Sequence, residues 1–152
     1  MSKFIYPIDT DQFQLIREQG KIYVDKTGYI HDLVNVRKYQ FVFLARPRRF
    51  GKSLFCNTLK AYFQGQKELF DGLKISKLEQ EWKKYPVLHF DMSEMRNCTT
   101  IKDMRDVLSA MLHRYEAQYG ATKNIDDLGA RFSQLIRFVQ ESQKAQAVVI
   151  ID

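Results

Sequence analysis

No stretch of this 152-residue chain is apolar over the roughly 20 residues that a membrane-spanning helix needs. Its N-terminus, MSKFIYPIDTDQF, has neither a long apolar run nor a small-residue cleavage site, so no secretory signal is expected. Cysteine is scarce. Cys56 and Cys98 lie far apart without metal-ligand spacing and, with no secretion signal, are expected to be reduced thiols in a cytoplasmic protein. The histidines His31, His89 and His113 show no ligand spacing either. Internal repeats, low-complexity tracts and linker-like segments are also missing, so one domain with its own core is expected.

What is present is an ordinary globular composition, with 45% hydrophobic and 28% charged residues. The net charge of +6 suits an anionic partner, but acidic residues are interspersed through most of the chain. The local exception is Arg46, Arg48, Arg49 and Lys52. Such a cluster is either a solvated basic loop or a pocket for polyanionic phosphate.

Hydrophobic periodicity divides the chain into alternating helices and strands. Thr10 followed by DQFQLIREQG predicts a short capped helix ending at Gly20. Lys21 to Val24 alternates as a short strand would, and Asp25 is placed to cap a helix through TGYIHDLVNV. Phe41 to Ala45 is a continuous apolar run of the kind found in strands buried on both faces of a parallel sheet. Beyond Gly51 the period becomes helical, with Leu54, Phe55, Thr58, Leu59, Tyr62 and Phe63 on one face and Gly65 as the stop. A Lys-rich connector carrying Phe70, Leu73, Ile75 and Trp82 leads to a strand from Val87 to Met92. Thr100 is set to cap a long amphipathic helix ending near Gly120, and a second helix carries Leu128, Phe132, Leu135, Ile136 and Val139. Ala147 to Ile151 is a third apolar strand, followed by Asp152. This order predicts an α/β fold with a parallel sheet and flanking helices.

Two motifs carry chemistry. In FVFLARPRRFGKSL, the triplet Gly51-Lys52-Ser53 falls directly between an expected buried strand and an amphipathic helix. That is the setting of a phosphate-binding loop, where helix-terminal N–H groups and the positive end of the helix dipole face the phosphates. Gly51 permits close backbone approach, Lys52 would reach the β- and γ-phosphates, and the Ser53 hydroxyl would be a magnesium ligand. AVVIID, ending in Asp152, has the Walker B pattern, whose strand-end aspartate holds magnesium through water. Both motifs are expected at the carboxyl ends of parallel strands, where open α/β sheets bind ligands. Asp91 and Ser93 follow the second strand at the same end. The alternative is a non-enzymatic basic segment that binds nucleic acid or a protein partner.

The runs YVDKTGYI, FLARPRRFGKSL, YFQGQKELFDGL, YPVLHFDMS and VVIID together resemble the bacterial AAA-ATPase-like family, over nearly the whole chain. Members often carry a PD-(D/E)XK nuclease-like domain after the ATPase part. The resemblance implies an ATP- and magnesium-binding P-loop fold, with residues 1–40 as a lead-in and 41–152 as the core up to Walker B. Three core strands are expected, with a further strand belonging between Phe41–Ala45 and Ala147–Ile151. The resemblance also makes Arg46, in place of the usual opening glycine, a family habit. Pro47 biases the residue before it toward extended backbone, which arginine adopts freely. Pro47, Phe50 and Leu54 complete the loop, and Arg48 and Arg49 become candidate internal arginine fingers. Asp25, Lys26 and Thr27 correspond to a segment bordering the adenine base, beside the helix-cap role expected of Asp25. The family's water-activating acidic residue follows the Walker B aspartate; the chain stops at Asp152, so it is expected to be a truncated part that binds nucleotide without efficient hydrolysis.

Overall fold

The computed structural model describes residues 5–8, 10–38, 40–45, 47, 50–121 and 125–152. The chain forms two compact units, Met1–Lys84 and Tyr85–Asp152. Its elements are mixed, helices with a small parallel sheet, as an α/β chain requires.

In the first unit, α1 (Phe13–Glu18) follows Thr10, whose hydroxyl accepts the Gln12 N–H at 3.0 Å. Helix α2 (Thr27–His31) continues into a wider-turned segment, Asp32–Val36, where the Arg37 N–H reaches the Asp32 carbonyl at 2.8 Å. Helix α3 (Lys52–Phe63) begins and ends where the spacing predicts. The Lys-rich connector folds as two short 3-10 turns, Lys67–Phe70 and Lys74–Lys77. Their apolar residues Leu69, Phe70 and Ile75, with Leu73 between them, join Phe13, Ile30, Ala61 and Tyr62 in the core of this unit. Aromatic rings set its geometry: Phe70 lies 5.0 Å from Phe13 and 5.1 Å from Trp82, centroid to centroid. Arg17 ties α1 to the connector by donating to the Leu69 and Asp71 carbonyls at 2.7 and 2.6 Å. Those carbonyls end a 3-10 turn and need a donor from outside it.

The second unit contains β1 (Val87–Phe90), α4 (Ile101–Tyr119), α5 (Leu128–Gln143) and β2 (Val148–Ile151). The strands run parallel, pairing Val87 with Val148 through Phe90 with Ile151. Thr100 caps α4 as expected, and Asp103 returns the bond to complete a capping box. Asp127 caps α5 by accepting the Ala130 N–H at 2.8 Å. Leu88 and Phe90 of β1 pack with Met111 and Leu112 of α4 and with Leu135 and Val139 of α5. Between the two helices runs a buried ion pair. Arg131 donates from Nε and Nη2 to the two Glu116 carboxylate oxygens at 2.5 and 2.6 Å, and from Nη1 to the Ser109 hydroxyl at 2.7 Å. No helix among the described residues is long and apolar enough to cross a membrane.

Three strand expectations need correction. Phe41–Ala45 belongs to no sheet: Phe41 and Phe43 are 92% and 93% exposed. Apolar content records a demand for burial, but a strand also needs a partner to take its N–H and C=O groups, and no described residue provides one. Among the described residues the sheet accordingly has two strands rather than three. Lys21–Val24 is irregular, held by one bond from the Ile22 N–H to the Ile5 carbonyl at 2.8 Å. β1 stops at Phe90, because Asp91 accepts the Ser93 N–H at 2.9 Å and turns the chain into a 3-10 segment, Met92–Met95.

Candidate phosphate-binding helix start and strand ends

Gly51 stands directly before α3 with φ +70° and ψ +33°, the left-handed conformation that glycine adopts without strain. A Cβ added there would meet no atom of the described residues within 4 Å, so backbone conformation favours glycine. The first N–H groups of a helix have no acceptor inside it. At α4 and α5 side chains from Thr100 and Asp127 supply one. At α3, among the described residues, there is neither a side-chain cap nor an acidic residue in the first turn. The Phe55 N–H bonds to the Gly51 carbonyl at 3.0 Å, so the N–H groups of Lys52, Ser53 and Leu54 precede the helix's own ladder. Ser53 and Leu54 are half-buried, and Leu54 packs against the core of the unit. Pro47 and Phe50 are exposed. Arg46, Arg48 and Arg49 lie outside the described residues.

The lead-in segment is tied to α3 and to the connector. The Tyr23 hydroxyl lies 3.4 Å from that of Thr58 on α3. Burial pushes the Tyr23 phenol up, partly opposed by this contact. Asp25 uses both carboxylate oxygens. One accepts the Thr27 N–H and hydroxyl at 2.9 and 2.7 Å, and the other accepts the Lys74 N–H at 2.6 Å. Partial desolvation raises the Asp25 carboxyl, but the Thr27 hydroxyl and the Lys74 and Thr27 N–H groups outweigh it and hold the group below the ordinary carboxylate range. The fully buried Thr27 hydroxyl also accepts the Ile75 N–H at 3.1 Å. Lys26, between them, is half-buried.

In the second unit, Asp152 prolongs the ladder beyond Ile151. Its N–H donates to the Phe90 carbonyl at 3.0 Å, and its carbonyl accepts the Met92 N–H at 2.8 Å. Asp91, at the corresponding end of β1, is held below the ordinary range first by the Ser93 hydroxyl, against some desolvation. Glu94 is engaged by Arg114 Nη2 at 2.7 and 2.9 Å. Among the described residues no group of three or more His, Cys, Asp or Glu is placed to hold a metal.

Two charged residues escaped the sequence reading. Glu116 lies four residues after Leu112, and Arg131 four before Leu135, so each interrupts an apolar helical stripe. A charge on such a stripe signals a buried pair, although only the fold says which residues pair.

Comparison with known proteins adds two findings. The model of a family described as "Predicted AAA-ATPase" matches residues 7–152. An "Uncharacterized protein in vnfD 5'region" from Azotobacter chroococcum mcd 1 is 34% identical over 156 residues, covering 100% of this chain. The chain spans 29% of that relative's length. No solved structure matches the chain.

Proposed function

Since the chain belongs to the predicted AAA-ATPase family, we propose that it is the nucleotide-binding part of a P-loop ATPase. ATP with magnesium would bind at the Gly51-Lys52-Ser53 start of α3. The observation that carries this is the helix start itself: left-handed Gly51, no side-chain cap and no acidic residue in the first turn among the described residues, and a lysine and a serine as the first two helical residues. Such a terminus favours an anion through its N–H groups and its dipole. The donor set fits a triphosphate, since three successive N–H groups precede the helical ladder and a hydroxyl follows the lysine.

Each side chain has a role in this proposal. Lys52 would neutralise the terminal phosphates, and the Ser53 hydroxyl would bind magnesium. Arg46 and Pro47 would set the entry to the loop, with Phe50 and Leu54 flanking the glycine. Arg48 or Arg49 would place an internal guanidinium on charge that develops during phosphoryl transfer. The backbone of Asp25, Lys26 and Thr27 would border the adenine, with the Asp25 carboxylate fixing that segment. Asp152 would serve as the strand-end carboxylate of the Walker B kind. Magnesium, when bound, would supply charge neutralisation across the phosphate oxygens. The wider fold in this proposal is a P-loop NTPase-type parallel sheet.

Calorimetric titration of the chain with ATP, with and without magnesium, tests the proposal. Binding should strengthen with magnesium, and Ser53→Ala should remove on the order of tenfold of that gain while leaving magnesium-free binding unchanged. Equal binding with and without the metal would reject the Ser53 assignment. No binding under either condition would reject the nucleotide site.

A further inference from the structure

Among the described residues the sheet has two strands, each with an outer edge, and the two edges are treated differently. The Met92 N–H and the Pro86 and Phe90 carbonyls point toward β2, bonding to Asp152, Val148 and Asp152 respectively. Backbone alternation then turns the ladder groups of Val87, His89 and Asp91 to the outer edge of β1. At its middle position both groups are taken by one side chain. The Tyr115 hydroxyl of α4 accepts the His89 N–H at 2.7 Å and donates to the His89 carbonyl at 2.6 Å. The next outward carbonyl, that of Asp91, accepts the Glu94 N–H at 3.2 Å. Arg114, beside Tyr115, holds this turn through its two bonds to Glu94. The Tyr115 ring packs 5.3 Å from that of Phe90, fixing the hydroxyl where the strand edge lies.

We propose that Tyr115 is an edge stop: its hydroxyl occupies the place of a neighbouring strand, so that any further strand can join this sheet only alongside β2. Exposed strand edges template pairing with other chains, and proteins blunt them with short strands and covering groups. β1 has four residues, and its central ladder position is covered. Among the described residues β2 pairs on one side only, with β1, and its Ile151 is 62% exposed. One tyrosine thus gives the sheet a direction of growth.

Tyr115→Phe removes the hydroxyl and keeps the ring. Amide hydrogen exchange and sedimentation velocity on the 152-residue chain give the test. In the parent, the His89 amide should exchange at least about tenfold more slowly than the outward amides of Val149 and Ile151, a comparison that needs no variant. In Tyr115→Phe the His89 protection should fall by a similar factor. Self-association should also rise above the parent's as concentration increases. Exchange at His89 as fast as at Val149 in the parent would overturn the proposal. So would a folded Tyr115→Phe with unchanged His89 protection and unchanged mass.

Discussion

Glu116→Ala should destabilise the second unit by about 3–5 kcal/mol, the cost typical of removing one partner from a buried ion pair. Glu116 and Arg131 are 3% and 2% exposed, and their paired bonds leave the guanidinium no aqueous alternative once the carboxylate is gone. Folded domains hold roughly 5–15 kcal/mol in all, so the loss should appear as a large drop in denaturant midpoint. Replacing both residues with apolar ones, Glu116→Leu with Arg131→Met, should recover much of it, because desolvation of the two charges then disappears as well. An unchanged midpoint for Glu116→Ala would mean that the pair contributes nothing to holding α4 against α5.

The same pair sets an acid response. Hydrogen bonding to Arg131 is the largest influence on the Glu116 carboxyl and outweighs desolvation, holding it below its ordinary value. A depressed folded-state value means stability that is present above the unfolded value, about 4.3, and is lost as pH falls through the folded one. Stability measured from pH 7 down to 2 should therefore fall more steeply below pH 4 in the parent than in Glu116→Gln. Asp25, Glu79, Asp91 and Asp103 are also depressed and contribute to both proteins alike. Parallel curves would assign the acid sensitivity to those groups instead.

Lys52→Ala should weaken ATP binding roughly hundredfold, whereas Lys60→Ala should change it less than about twofold. Charge-assisted hydrogen bonds are worth about 1.5–3 kcal/mol each, and Lys52 is assigned to the β- and γ-phosphates. Lys60 carries the same charge on the same helix, eight residues or about 12 Å along its axis. It therefore separates a positioned cation from general positive charge. Equal losses from the two substitutions would show that nucleotide adheres to a basic surface without a built site. Calorimetry at two salt concentrations sharpens the comparison, because diffuse charge is screened far more than a close contact.

The sequence by itself determined what depends on near neighbours. Helices bond residue to residue four apart, so the apolar stripe of α3, its start after Gly51 and the cap at Thr100 were all legible. The motif RPRRFGKS and the aspartate after VVII pointed to the family for the same reason, as short patterns that need no partner elsewhere. Tertiary structure decided everything that depends on a distant residue. Asp25 was expected to cap a helix, and one oxygen does serve the turn at Thr27; the other reaches Lys74, 49 positions on, which no local pattern encodes. The apolar runs Phe41–Ala45 and Ala147–Ile151 looked alike, yet among the described residues only the second meets a strand, because ladder partners are set by the path of the chain. Glu116 and Arg131 went unread in the sequence although each interrupts an apolar stripe, and their pairing came from the packing of α4 on α5. Composition records which groups must be buried or satisfied; the fold alone supplies their partners.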